Sequence, residues 1–256
     1  MVKLQGKIAL ITGSARGLGY TMASEMVKEG ATVFINDVDE QSVHEAVEQL
    51  REIGGKVDGF VADVTNKQQV LNMMGYIVDR VGRLDILVNN AGGALRTPKK
   101  LEDISEEHWD LVLDVNLKGT FLASQAAVPH MRASGGGSII NISSIGGRTA
   151  SIVTGVSYAA AKAGVVGFTR RLAKEVGPDG IRVNAIAPGL VLSGDRLKET
   201  WDTMPDWEQT EVLDAIPLRR LGTNNEQAKV ITFLASEESG YMTGAVLDVN
   251  GGRFMG

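Results

Sequence analysis

The stretch Thr12-Gly13-Ser14-Ala15-Arg16-Gly17-Leu18-Gly19 follows an apolar run, Ile8 to Ile11, and opens an amphipathic segment that ends near Glu29. A strand that turns through closely spaced glycines into a helix constrains the rest of a chain strongly. It leaves backbone N–H groups and the positive end of the helix dipole converging on one place, where an anion such as a pyrophosphate fits. Gly13 suits the positive φ of a tight turn, while Gly17 and Gly19 let backbone approach a ligand and the helix approach the strand. The spacing G-x3-G-x-G departs from the common fingerprint G-x-G-x-x-G, so the glycines alone fit a plain turn as well as a phosphate site. Their position favours the phosphate: a strand precedes them, a helix follows, and an acid, Asp37, closes the next strand.

The same unit recurs. The first helix stops at Gly30, and Thr32-Val33-Phe34-Ile35-Asn36 reads as a second strand rich in β-formers. A helix over 40–53 ends at Gly54-Gly55, and strand 57–61, helix 66–80 and strand 85–88 follow. The second half predicts a long helix over 105–133, strand 138–142, helix 155–176, strand 181–186, an irregular segment 190–220, helix 224–235 and a last strand 246–249. Strands alternating with helices through short glycine-bearing loops predict right-handed crossovers. The fold class is α/β: a single doubly wound domain over 1–256 with a seven-stranded parallel sheet and helices on both faces. Ligands of such folds sit beyond the carboxyl ends of the strands. Function is therefore sought at Thr12–Gly19, Asp37, Asp63-Val64, Asn89–Gly93, Ser143–Arg148 and Pro188–Ser193.

A chain of 256 residues, 43% hydrophobic and 22% charged, can bury a full core, and no linker-like tract divides it. The net charge of -5 is modest and the signs are interspersed, which argues against a nucleic-acid or anionic-membrane partner. No apolar run approaches the ~18 residues of a membrane span, and Met1 to Leu10 lacks the apolar core of a signal peptide. With no cysteine there is no disulfide, thiolate metal site or cysteine nucleophile, and the usage fits a reducing, cytoplasmic setting. His44, His108 and His130 are scattered without ligand spacing, so no metal site is expected. A serine hydrolase would need a nucleophile elbow that the Ser143-Ser144 pair does not supply.

Tyr158-Ala-Ala-Ala-Lys162 lies within a predicted helix, and i, i+4 spacing puts both side chains on one face. A free tyrosine has a pKa of about 10. A neighbouring ammonium and a cationic nicotinamide would favour the phenolate and bring the group toward the range of a general base. Ser143-Ser144 ends the preceding strand and can bring a hydroxyl to the same rim, while Asn116 sits mid-helix where an amide has no evident packing role. Asp37 can accept hydrogen bonds from the adenosine ribose and would repel a 2′-phosphate, so NAD is favoured over NADP, although Arg16 in the turn could neutralise a phosphate. Asp37 is also readable as a cap for the helix that follows, and Asp63 fits equally a cap or an adenine contact.

These motifs, Thr12-Gly13-x-x-x-Gly17-x-Gly19, Asp63-Val64, Asn89-Asn90-Ala91-Gly92, Asn116, Ser144, Tyr158-x-x-x-Lys162 and Pro188-Gly189, stand in an order that resembles the short-chain dehydrogenase/reductase superfamily from Lys7 to about Gly252. The resemblance implies a Rossmann fold and an oxidoreductase interconverting a secondary alcohol and a ketone by hydride transfer. Tyr158 would exchange a proton with the substrate oxygen, and Ser144 would hydrogen-bond that oxygen. Lys162 would bind the nicotinamide ribose, and Asn116 would hold a water in a relay to Lys162. It implies that NAD is held by Gly13, Ser14, Arg16, Gly17, Leu18 and Gly19 in the turn, with Asp37, Asp63 and Val64 at the adenosine side. Asn90, Ala91, Gly92, Tyr158, Lys162, Pro188, Gly189, Val191 and Ser193 would complete the cofactor site. Asn89 would line the adenosine side or simply brace the sheet. Ser193 stands where relatives usually carry a threonine, and Ser144 and Tyr158 stand slightly further apart than in many relatives, which implies an insertion in the loop 146–155.

The resemblance leaves the substrate open. Relatives that reduce 3-oxoacyl groups on a carrier protein dock it with basic residues where this chain has Ser134-Gly135-Gly136 and Pro178-Asp179-Gly180, which weakens that alternative. Arg96, Arg148 and Arg196 could face a substrate mouth and favour a small polar or anionic substrate, a sugar, polyol or hydroxy acid; each is also readable as a solvated surface residue. The segment 190–220, with Trp201, Met204 and Trp207, resembles a substrate-covering lid or else a subunit contact. Relatives commonly form dimers or tetramers through the two long helices, so a homo-oligomer is expected. A non-catalytic nucleotide sensor would be expected to lose the tyrosine or the lysine, and this chain keeps both.

Overall fold

The computed structural model describes residues 2–150 and 154–256, apart from the side chains of residues 195 and 196. Seven strands form one wholly parallel sheet: β1 (Ile8–Ile11), β2 (Thr32–Asp37), β3 (Lys56–Val61), β4 (Ile86–Asn89), β5 (Gly137–Ile142), β6 (Ile181–Pro188) and β7 (Val246–Val249). Their spatial order is β3-β2-β1-β4-β5-β6-β7, so the chain winds outward from β1 to one edge and from β4 to the other. The change of direction between β1 and β4 leaves a crevice beyond their carboxyl ends, as doubly wound sheets do.

Alternation along the strands builds two cores. In β1, Ala9 and Ile11 face one side and Ile8 and Leu10 the other. The first side packs against α1 (Gly17–Lys28), α2 (Glu40–Glu52) and α9 (Asn224–Ala235), through Met22, Met26, Val47, Leu50, Ile231 and Leu234. The second packs against α3 (Lys67–Val81), α5 (Gly119–Ala133) and α6 (Val156–Val176), through Met73, Met74, Ile77, Ala127, Met131 and Val176. The expected rhythm is therefore present, with ends shifted by a residue or two, as frayed termini allow.

Two elements differ from expectation. The helix expected to run unbroken over 105–133 is α4 (Glu106–Leu113) and α5 separated by one widened π turn, Asp114–Lys118, with Asn116 inside it. The segment 190–220 is largely helical, folding as α7 (Asp195–Asp202) and α8 (Asp206–Asp214). No helix among the described residues is long and apolar enough to cross a membrane.

Candidate active site

A cleft of about 1240 Å³ runs along the carboxyl ends of the strands. Its first wall is the turn after β1. Gly13 has φ +60°, and a side-chain carbon there would lie 2.7 Å from Cα of Ala91; one on Gly17, φ +58°, would collide with the Ser193 carbonyl oxygen. Only glycine lets the turn nest between these two segments. No side chain caps the N-terminus of α1, so its first N–H groups open on the cleft. Asn90 holds the turn in place, its amide donating to the carbonyls of Thr12 (3.0 Å) and Gly13 (2.7 Å). Asn89 braces the sheet, donating to Ser124 Oγ and Asn141 Oδ1 at 2.9 and 2.8 Å.

Asp37 lines the cleft at the end of β2, and Ala15 N donates to its carboxylate at 3.4 Å. It caps no helix, since the cap of α2 is Asp39. Asp63 accepts from Thr65 N and Oγ1, each at 2.8 Å, and the cap of α3 is Asn66. Arg16, Leu18, Gly19, Val64, Ala91, Gly92, Pro188, Gly189, Val191 and Ser193 also line the cleft. Ser14 does not. It is fully buried, donating to the Ile11 carbonyl at 2.6 Å and accepting from Asn36 N at 3.2 Å, so its hydroxyl stitches β1 to β2 and is not available to a cofactor. An uncapped helix end, a glycine cradle that a side chain would fill, and a carboxylate at the far strand end together fit a dinucleotide.

The other end of the cleft holds Ser144, Tyr158 and Lys162. Lys162 is 3% exposed, and its Nζ donates to the Ile142 carbonyl at 2.7 Å and lies 5.6 Å from the centroid of the Tyr158 ring. Burial pushes the ammonium down from the ordinary lysine value to about 7. The two serines divide their tasks. Ser143 donates to the Lys162 carbonyl at 2.9 Å and is spent on structure; Ser144 accepts from Gly146 N at 3.1 Å, which orients its hydroxyl at the cleft wall. Asn116 is buried behind the wall and does not line it. Its amide accepts from Gly93 N (2.9 Å) and donates to the carbonyls of Gly93 (2.9 Å) and Val112 (2.8 Å), tying the π turn to the loop beyond β4.

The sequence family described as Enoyl-(Acyl carrier protein) reductase matches residues 13–253. The chain is 43% identical over 253 residues to (2S)-((R)-hydroxy(phenyl)methyl)succinyl-CoA dehydrogenase subunit BbsD of Thauera aromatica, covering 98% of this chain and 97% of that one. It is 40% identical over 251 residues to 3-oxoacyl-(acyl-carrier-protein) reductase FabG of Thermotoga maritima, covering 98% and 99%. The crystal structure of gox2181 superposes with a TM-score of 0.93 at 35% identity, over 98% of this chain and 97% of that one. The chain is a short-chain dehydrogenase/reductase. The resemblance drawn from the motifs, the Rossmann-like fold and the class of oxidoreductase follow together.

Against this membership the three arginines separate. Arg148 does not face the substrate mouth. It pairs with Asp248 (3.3 and 3.0 Å), donates to the Gly256 carbonyl at 2.8 Å and stacks on Phe254 at 5.0 Å, because the loop after Ser144 packs against the end of β7. Arg96 does line the cleft; it and Leu95 hold φ of +59° and +52° in the loop after β4. The side chain of Arg196 lies outside the described residues. Arg253, beyond β7, lines the cleft as well. Arg253 is missing from the rims expected from the sequence because those cover six strand ends, and it lies just beyond the seventh, β7. From α7, Leu197 and Thr200 line the cleft, whereas Trp201 and Met204 do not and Trp207 is exposed on α8. Among the described residues no three His, Asp or Glu side chains gather to hold a metal.

Proposed function

We propose that this short-chain dehydrogenase/reductase interconverts a small polar secondary alcohol, a hydroxy acid, sugar or polyol, and its ketone with NAD(H). The observation that carries the reading is the buried Lys162 beneath the Tyr158 ring, with Ser144 on the same wall. When bound, the nicotinamide supplies the acceptor or donor of hydride. In oxidation Tyr158 takes the hydroxyl proton of the substrate, and in reduction it returns it. The Lys162 cation stabilises the negative charge left on the phenol oxygen, while Ser144, held by Gly146 N, donates to the substrate oxygen as charge develops there. Gly13, Gly17 and the free end of α1 hold the pyrophosphate. Asp37 supports the choice of NAD, since its carboxylate accepts from ribose hydroxyls and repels a 2′-phosphate; Arg16 beside it pulls the other way.

The relatives' names favour a second reading, reduction of a 3-oxoacyl thioester. A carrier protein would need a basic docking face, but Arg132 is neutralised by Asp179 at 2.7 Å beside Ser134-Gly135-Gly136. That leaves coenzyme A as the better thioester carrier. We further propose one catalytic unit over 1–256, its lid being 190–220, in a cytoplasmic homo-oligomer. Phe121 and Val156 on the outer faces of α5 and α6, and a groove of about 330 Å³ lined by Phe121, Val128, Phe168 and Leu172, support the assembly.

An absorbance assay for reduced cofactor, run with NAD and with NADP over hydroxy acids, polyols, sugars, steroids and 3-hydroxyacyl-CoA thioesters, tests the proposal. NAD is expected to support oxidation of a polar alcohol, and Tyr158→Phe to lower kcat by at least about a hundredfold while still binding NADH. Equal turnover by the variant, or no uptake of either nucleotide, overturns it.

A further inference from the structure

The dinucleotide and the Tyr158 group leave one part of the cleft unexplained, the corner where the loop after β4 meets the start of α6. A side-chain carbon on Gly155 would lie 3.1 Å from both Lys99 Cα and the Pro98 carbonyl oxygen, so the loop is packed directly on the helix end. Gly155 is the cap residue of a 21-residue helix and has no side chain to cap it, so among the described residues no side-chain cap meets its first N–H groups and positive dipole end. Within the same turn Ser157 is 1% exposed, lines the cleft, and its Oγ has no hydrogen-bond partner among the described residues; Thr154 Oγ1 is buried without one among them too. A buried hydroxyl without a partner is costly unless a ligand supplies one.

Charge points the same way. Arg96 and Lys99, both on the loop after β4 that forms this corner, line the cleft, and Arg253 lines it from beyond β7. Among the described residues the only carboxylates lining the cleft are Asp37 and Asp63, at the ends of β2 and β3, on the opposite side of the sheet from β7. Leu95 and Arg96 both hold left-handed backbone, a conformation that bulky residues keep where the surroundings require it.

We infer that the corner formed by Arg96, Lys99, Ser157 and the N-terminus of α6 is an anion subsite for the substrate, one helical turn from Tyr158. It takes a carboxylate carried by the substrate or a phosphate of its coenzyme A carrier. The subsite rests on the reading of the cleft as a secondary-alcohol site and narrows it to anionic alcohols. Its ligand sets the register of the carbinol carbon against Tyr158 and Ser144 by fixing the far end of the molecule.

Calorimetric titration of the protein, in the presence of NADH, with malonate and with its neutral counterpart malonamide tests this apart from any turnover. Malonate is expected to bind at least tenfold more tightly, and Arg96→Ala and Ser157→Ala each to weaken malonate at least fivefold, with Lys99→Ala smaller in effect. Titration with free coenzyme A then assigns the source. Competition with malonate that is lost in Arg96→Ala makes the anion a carrier phosphate, and absence of competition makes it a carboxylate of the substrate itself. Equal binding of malonate and malonamide, or malonate binding unchanged in all three variants, overturns the subsite while leaving the proposed reaction standing. Failure of the parent to bind NADH counts against the proposed reaction instead, and the malonate titration still reads the subsite.

Discussion

At the scale of single residues the environment, not the residue type, decides the chemistry. Lys162 has no acidic partner among the described residues; desolvation pulls its ammonium to about 7, so the folded state binds the proton less tightly than the unfolded chain does. Between about pH 7 and 10 the unfolded state holds the extra proton, and stability from this group rises with pH by about 1.4 kcal/mol per unit. Below pH 7 both states are protonated and the full cost of burying a cation is present. Lys162→Met, which keeps the stem and removes the charge, is therefore expected to gain in melting temperature relative to the parent as pH falls from 9 to 6.5, checked by thermal melts across that range. Parallel pH profiles would contradict it. Tyr158 and Lys162 were legible in the sequence because i, i+4 spacing puts them on one face wherever the helix lies. Position at the strand end does not separate Ser143 from Ser144, which only the family resemblance distinguishes, since the choice depends on which hydroxyl is spent on the Lys162 carbonyl. The fate of Arg148 was not legible, since its partner Asp248 is 100 positions away.

At the scale of elements, the alternation of strand and helix was legible because apolar strands alternate with amphipathic helices, the first three of which stop at Gly30, Gly54 and Gly82. The break at Asp114–Lys118 was not, because one widened turn leaves the apolar pattern intact and needs no proline or glycine to signal it. Nor were α7 and α8, short helices rich in charge whose pattern reads as loop. The π turn has a use. It sets the Asn116 amide against both the N–H and the carbonyl of Gly93, so the loop that carries Asn90, Ala91 and Gly92 is fixed from behind. The Asn116 amide itself is engaged with protein, at Gly93 and Val112. Replacing Asn116 by Ala leaves three backbone groups without partners in a buried site, a loss of about 2–4 kcal/mol. Urea unfolding is expected to show that loss together with weaker binding of NADH, because the loop beneath the cofactor slackens. A stability loss with unchanged NADH affinity would show that the turn matters to the fold alone.

Across the whole molecule, the C-terminal tail joins parts that are remote in sequence. Asn250 packs against Gly189, and its side-chain oxygen accepts from Gly252 N at 3.0 Å, which curls the chain back after β7. Leu218 N donates to the Gly251 carbonyl at 3.2 Å, and a carbon added at Gly252 would meet Pro217 at 3.0 Å, so the end of the segment 190–220 rests on the tail. Arg148 closes the circuit by pairing with Asp248 and the Gly256 carbonyl, with Phe254 stacked on its guanidinium. The loop that follows Ser144, the end of the segment 190–220 and the segment bearing Arg253 are thereby held as one assembly. Both charges of the pair are largely buried, with side chains 12% and 16% exposed, so removing the cation strands a carboxylate. Arg148→Ala is expected to cost about 2 kcal/mol, which for a chain of this size is roughly 4–8 °C in melting temperature. Asp248→Asn in the same background is expected to restore part of it, since the stranded charge is then gone. Limited proteolysis is expected to reach 250–256 faster in Arg148→Ala, and KM for the accepted alcohol to rise more than kcat falls, because the variant loosens Arg253 and the end of the segment 190–220 while Tyr158 and Lys162 stay in α6. A kcat loss with KM and tail protection unchanged would instead place the effect of Arg148 on the Ser144 turn.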